Sequence, residues 1–236
     1  MYTVSIEQLT TPRRRDRLRT ATLEEIKSLA WSQVAESGAA ALSLRAIARD
    51  MGMTSSALYR YYESRDQLLD ALARDAFSSL ADTLEEAERI DGSFLPLVRA
   101  YRRWALGHAV EYALMFGLSA PGLGTEDPLT MAQMERGVAV LFRCMTCSLD
   151  AGQVHPPAIT PSVEKRLRRK LKKWTETSPY GLTPEAQAAC MYVWIQLHGA
   201  ISLELANHLP PPLQPADELF EHVMSQTLGA IGGTPG

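Results

Sequence analysis

The sequence predicts an all-α protein, and three observations predict it. Apolar residues recur at helical spacing along nearly all of the 236 residues. No β-branched run alternates with polar residues, and the hairpin-like dipeptide Asp91-Gly92 falls between two helical patterns. Gly38, Gly52, Pro128 and Pro184 stand at the ends of those patterns. The chain is 46% hydrophobic and 22% charged, which excludes wholesale disorder.

Residues 1–16 read as a flexible basic arm, with Arg13, Arg14 and Arg15 in a row. The first helix runs from about Arg17 to Ser37. Leu23, Ile26, Leu29, Ala30 and Val34 form its apolar face, and Gly38 closes it in a left-handed conformation. The second helix is short: Ser43 is its N-cap, Leu44, Ile47, Ala48 and Met51 turn inward, and Gly52 ends it. The third spans about Ser55 to Tyr61. The fourth opens on Ser64-Arg65-Asp66-Gln67, a fit to the capping box, and continues through Leu68, Leu69, Leu72, Phe77 and Leu80 to about Ala87. Beyond Gly92 the pattern predicts helices near 94–107, 109–118, 128–150, 162–174, 184–207 and 216–230. Asp127 and Thr183 are the caps before Pro128 and Pro184. The Pro- or Gly-rich stretches 119–127, 152–161 and 208–215 are connections.

Charge is unevenly spread. The formal net charge is -3, which excludes a simple polycation. Residues 1–65 hold ten bases against seven acids, whereas 66–236 hold fourteen against twenty. Seven of those fourteen sit in 163–174, with one acid. A basic unit on an acidic body suits a nucleic-acid surface at one end only. The amino-terminal residues lack the order of a signal peptide, and three cysteines point to a reducing cytosol, so a cytoplasmic location is expected. Residues 186–203 carry no formal charge, but Gln187, Gln196, His198 and Ser202 argue against a membrane span. A helix buried on two sides fits better. One side faces its own core and the other a partner subunit, where Ala189, Gly199, Ala200 and Ala206 permit close approach.

The informative stretch is LSLRAIARDMGMTSSALYRYYESRDQLLDAL, residues 42–72. Two short helices joined by a glycine turn, each apolar on one face, form a helix-turn-helix. Isolated helices of this length are unstable in water, so both need the first and fourth helices as packing partners. With Leu58 and Tyr62 inward, Ser56, Tyr59 and Arg60 point away, and Thr54 and Ser55 stand at the helix start. Hydroxyls, an aromatic ring and an arginine at a helix N-terminus suit the major groove of double-stranded DNA. Tyr61 is divided, its ring partly on the core side and its hydroxyl within reach of phosphate.

This pattern resembles the TetR/AcrR family of bacterial transcriptional regulators. The resemblance runs from Ile26, Ala30, Glu36 and Gly38 through LSLRAIARDMGM to ALYRYYESRDQLLDAL. It implies a homodimer that places its third helix in the major groove of a palindromic operator. It also implies a variable C-terminal domain that holds a small-molecule inducer. Carried onto this chain, Ser43 and Arg65 contact phosphate, and Arg45 reaches a base edge. Thr54, Ser55 and Ser56 contact bases or phosphates, and Tyr59 and Tyr61 the backbone. Arg60 lies where the family varies. Arg65 stands where the family usually has lysine, which keeps the charge and changes the donor geometry. Residues 194–200 and 102–117 are similar to a C-terminal subclass with a Trp-His-Gly pattern. The implied organisation is an arm (1–16), a DNA-binding domain (17–65) and a ligand-binding and dimerisation domain (66–236).

Trp104, Tyr112, Met115, Phe116, Phe142, Trp194 and His198 are the candidate lining of an apolar or aromatic inducer site, against the plainer reading of core packing. Cys144 and Cys147 form a CxxC without a second pair for zinc. They support an alternative function, a small-molecule or thiol redox sensor acting on transcription through this pair. The five histidines form no metal motif, and neither a P-loop, a dinucleotide fingerprint nor a nucleophile elbow is present. The expectation is a protein without cofactor or metal that is not an enzyme. In 163–174, Val163, Leu167, Leu171 and Trp174 form an apolar stripe and the bases cover the rest. That suits a packed helix with a solvated face, or a surface for a membrane, an acidic partner or the acidic body of its own domain.

Overall fold

The computed structural model describes residues 14–117, 127–150, 161–176 and 183–231, and every regular element among them is helical. They form two compact units, one ending at Leu72 and one beginning at Ala73. The division falls within a helix, later in the chain than the boundary at 65/66 read from the sequence.

In the first unit, α1 (Arg14–Ser37) buries Ile26, Ala30 and Val34. It starts earlier than its periodicity predicts. Arg14 and Arg15 are exposed helical residues, not part of an arm, while Arg13 lies outside the described residues. Arginine and leucine favour helix, and Asp16 in the first turn suits the helix dipole. The Gly38 amide donates to the Val34 carbonyl at 2.9 Å, and Gly38 has φ +79°. A 3₁₀ turn, Ala39–Ala41, then leads to α2 (Leu44–Asp50), which the Ser43 hydroxyl caps by accepting the Ala46 amide at 3.3 Å. Gly52, at φ +66°, makes the turn into α3 (Ser55–Leu58).

The third helix is shorter than the predicted 55–61. After Leu58 the amides of Arg60 and Tyr61 donate to carbonyls three residues back, at 3.3 and 2.8 Å. The last turn tightens, and Tyr62 is buried with Leu58. The first turn of α4 (Arg65–Ile90) is capped from both sides. The Ser64 hydroxyl accepts the Gln67 amide at 3.1 Å, and the Gln67 side-chain oxygen accepts the Glu63 amide at 2.6 Å.

The second unit contains the rest of α4, then α5 (Phe94–Gly107), α6 (Ala109–Phe116), α7 (Pro128–Asp150), α8 (Pro161–Thr175), α9 (Pro184–Leu205) and α10 (Asp217–Ala230). Asp127 caps α7, its carboxylate accepting the amide and hydroxyl of Thr130 at 3.0 and 2.6 Å. Those bonds, with Arg74 close by, hold its carboxyl below the usual range. Thr183 caps α9 by accepting the Ala186 amide at 3.1 Å.

α9 touches α5, α7, α8 and α10, and Leu197 and Ile201 are fully buried. Arg102 of α5, itself largely buried, donates to Glu204 of α9 and Asp217 of α10 at 2.6–2.8 Å. The predicted two-sided burial needs one correction. Ala189 is fully buried in its own chain and cannot meet a partner, because it shares the inward stripe of Cys190, Val193 and Leu197. The outward stripe carries Ile195, Gly199, Leu203 and Ala206. Among the described residues, no helix is long and apolar enough to cross a membrane.

Nothing crowds the Cβ position of Gly52, so its positive φ is the whole constraint there. We expect Gly52→Val to lower unfolding stability by about 1–2 kcal/mol in a urea titration. Gly107→Ala, on α5 with equally open space, should be neutral or stabilising.

Candidate nucleic-acid interface and apolar cavity

The first unit presents one polar face around α3. Leu58 is fully buried, whereas Thr54, Ser56, Tyr59 and Arg60 are exposed and Ser55 is half-buried. The Thr54 hydroxyl caps α3 by accepting the Ala57 amide at 3.3 Å and lies 3.1 Å from the Ser56 hydroxyl. Each hydroxyl keeps capacity for an outside partner. Arg45 is exposed on the first turn of α2. The Ser43 amide is held by the Gln33 side chain at 3.0 Å, which fixes the start of that helix. Tyr61 is half-buried, and the Arg19 guanidinium lies 5.2 Å from its ring centroid. Arg19 was not a residue the sequence singled out.

Arg65 already has partners. It donates to the Ala40 carbonyl at 3.1 Å and to Asp66 through two nitrogens at 3.1 and 3.0 Å. Three of its five donors are therefore used inside the unit. They tie the start of α4 to the 3₁₀ turn.

The second unit contains an apolar cavity of about 420 Å³ walled by α5, α7, α8 and α9. Phe94, Met134, Val138, Phe142, Met145, Trp174 and Trp194 are among its lining, and Glu135 is the acidic residue there. A smaller space of about 60 Å³ shares Met134, Val138, Leu141 and Trp194 with it and is also lined by Phe116. Of the seven residues expected to line a ligand site, Phe142 and Trp194 lie on the large cavity and Phe116 on the small one. Trp104 lies elsewhere, donating to the Ser79 hydroxyl at 3.0 Å and stacking on His108 at 4.9 Å. Met115 is half-buried against the core. The sequence reading missed Met134, Val138, Leu141 and Met145. Their i, i+4, i+7, i+11 stripe on α7 was visible, but it is the ordinary signature of a core face.

Tyr112 and His198 belong to a polar knot beside the cavity. His198 Nε2 is 3.0 Å from the Tyr101 hydroxyl, and Nδ1 is 2.9 Å from that of Tyr112. A neutral imidazole has one N–H, so one tyrosine donates to the ring and the other accepts from it. Trp194 packs on the same imidazole at 3.9 Å between ring centroids, and Phe116 at 4.5 Å. Burial pushes the His198 pKa down to about 4.

The thiol alternative is not favoured. Cys144 is buried, and burial, with Cys147 nearby, pushes its thiol up to about 12, so it stays protonated and a poor nucleophile.

A polar face on a one-turn helix, in a unit apart from a helical bundle with an apolar cavity, defines a helix-turn-helix regulator of transcription. Comparison with known proteins gives its family. Residues 26–72 match bacterial regulatory proteins of the tetR family, and residues 94–227 match the tetracyclin repressor-like C-terminal domain. The chain belongs to the TetR family. It is similar to the HTH-type transcriptional regulators Rv1816 of Mycobacterium tuberculosis and Mb1846 of Mycobacterium bovis. Each is 33% identical over 188 residues, covering 77% of this chain and 79% of the relative. Among solved structures, the regulatory protein SCO4313 is 33% identical with a TM-score of 0.77, covering 93% of this chain and 100% of that one. A tetR-family regulatory protein from Rhodococcus RHA1, 15% identical over 90% of this chain and 98% of its own, shares the fold at a TM-score of 0.60.

The depressed pKa of His198 predicts a pH effect. As pH falls below the ordinary value of 6.5 the unfolded chain takes up a proton that the folded chain refuses until about 4, so stability falls with pH across that window. Between about pH 7 and about pH 5 this amounts to about 2 kcal/mol. Unfolding titrations of the parent and His198→Gln should differ by that much in their loss over the window.

Proposed function

We propose that the protein is a homodimeric, cytoplasmic repressor that holds a palindromic operator and is released when a small apolar or aromatic molecule enters the cavity. It acts by binding rather than by turnover. The observation that carries this reading is the pairing of two features. One is the polar face of α3, anchored by the buried Leu58; the other is an apolar cavity of about 420 Å³ in a separate unit.

On the operator, Arg45 and Arg60 read base edges, and Thr54, Ser55, Ser56 and Tyr59 bind bases or phosphates. Ser43 and Tyr61 meet the backbone, and Arg65 does so with its two unused donors. Arg13, Arg14 and Arg15 add phosphate contacts at the amino end. The outward face of α9, with Ile195 at 62% and Leu203 at 47% exposure, joins the groove it makes with α10 at Gly199, Ala200, Leu219 and Val223. This apolar surface is the dimer contact. Two-fold symmetry then sets half-sites about 34–36 Å apart. The effect of ligand passes along α4, which contributes residues to both units.

The test is a footprint and gel-shift series on DNA flanking the protein's own gene. With about eight phosphate contacts per dimer, log K should fall with log[salt] at a slope of about -7. A flat response overturns the docking. Arg45→Ala should cost about 1–3 kcal/mol on the operator and relax preference at one base position. Equal weakening on all sequences would make Arg45 a phosphate contact instead.

A further inference from the structure

α8 carries seven bases between Lys165 and Lys173 and no acid in that span. Arg168 is tied to Glu185 of α9. Arg166, Lys170 and Lys173 are exposed and make no ion pair among the described residues. Arg166 and Lys170 stand four residues apart, and Lys170 and Lys173 three, so like charges face each other along the helix. That repulsion opposes folding, and an anionic partner would relieve it.

The geometry ties this charge to the cavity. Leu171 is buried, and Trp174 both lines the cavity and is 37% exposed. Trp174 is therefore a rim residue, and the rim here is the basic helix. At helical spacing, Lys170, Arg166 and Lys173 continue from Trp174 on the flank away from Arg168. A second observation lies on α9. Gln187 is fully buried with neither amide atom partnered, on the stripe that continues through Cys190, Met191 and Trp194, all cavity residues. Gln187 itself is not in the lining, so its unpartnered amide marks the buried end of that stripe.

We infer that the ligand of the cavity is an amphipathic anion. Its acyl chain lies among Phe142, Met145, Trp174 and Trp194, and its negatively charged head rests on Arg166, Lys170 and Lys173. This rests on the reading of the cavity as the inducer site and names its ligand class. Glu135, the acid in the lining, sits on α7, and on α8 the span from Lys165 to Lys173 carries no acid. A lipophilic cation would meet that rim with repulsion.

The test uses the full chain, with binding followed by tryptophan fluorescence and calorimetry. The probes are decanoyl-coenzyme A, decanoate, decanol and decyltrimethylammonium. Both anions should bind more tightly than decanol, and added salt should weaken them. The R166Q/K170Q/K173Q variant should lose about tenfold or more in anion affinity and bind decanol unchanged, since only charge-assisted contacts are removed. K165Q/K172Q, on the opposite flank, should match the parent, and thermal melts check that both variants fold. A larger loss for the thioester than for decanoate assigns a phosphorylated head, and equal losses assign a carboxylate. Unchanged anion binding by the triple variant, or tightest binding of the cation, overturns the proposal. Binding of decanol alone overturns it and leaves the cavity as an inducer site. No binding of any probe overturns both.

Discussion

A single helical turn has no stability of its own in water. The polar face of α3 therefore depends on the burial of one side chain, Leu58, with Tyr62 one turn later. Once Leu58 faces inward, helical geometry leaves Ser56, Tyr59 and Arg60 no direction but outward. The caps at Ser43 and Thr54 and the positive φ of Gly52 set the angle at which that turn leaves α2. Arg65 closes the arrangement by joining the start of α4 to the Ala40 carbonyl. The donors are thus oriented before any partner arrives, and less ordering entropy is lost on binding.

The second unit follows a different logic. α9 packs against α5, α6, α7, α8 and α10, and two of its polar side chains are absorbed into the core: His198 between two tyrosine hydroxyls, Glu204 against Arg102. The knot at His198 steadies Trp194, one wall of the cavity, through a ring contact at 3.9 Å. The facing tryptophan, Trp174, meets Phe142 edge-on at 6.4 Å and otherwise stands on a helix crowded with like charges. One wall is built into the core and the other into a surface helix.

Where sequence and structure agree, a local signal was present. Asp127 and Thr183 with their prolines marked the starts of α7 and α9, and the outward residues of α3 followed from the inward Leu58. The early end of α3 was not legible, because its tightened turn accompanies the burial of Tyr62 in tertiary packing. The cavity was half legible. An aromatic side chain announces its size, not whether its helix face meets a void, a hydroxyl or another ring. Trp104 therefore went to Ser79, while Trp194 went to the cavity. Ala189 failed for a related reason, since a small residue suits a tight self-contact as well as a subunit contact.

A guest in the cavity can move the DNA equilibrium only by preferring one arrangement of the protein over another. Moving a population from almost all bound to almost all free needs a preference of about 10⁴-fold, or about 5.5 kcal/mol. α7 is where such a preference can arise. One face of it lines the cavity with Met134, Val138, Phe142 and Met145. Its other face meets α4, where a Cβ on Gly137 would stand 3.7 Å from Ala81 and Leu84. Arg136 reaches Asp82 and Glu85 there, and Arg143 reaches Glu88. The exposed ion pairs are individually weak, and Gly137 stands in ordinary van der Waals contact with α4, beside the small space that it lines with Leu80 and Leu84. Packed interfaces change between discrete arrangements rather than deforming smoothly. A guest on α7 thus acts on a helix packed and ion-paired against α4, and α4 is the helix within which the two units divide.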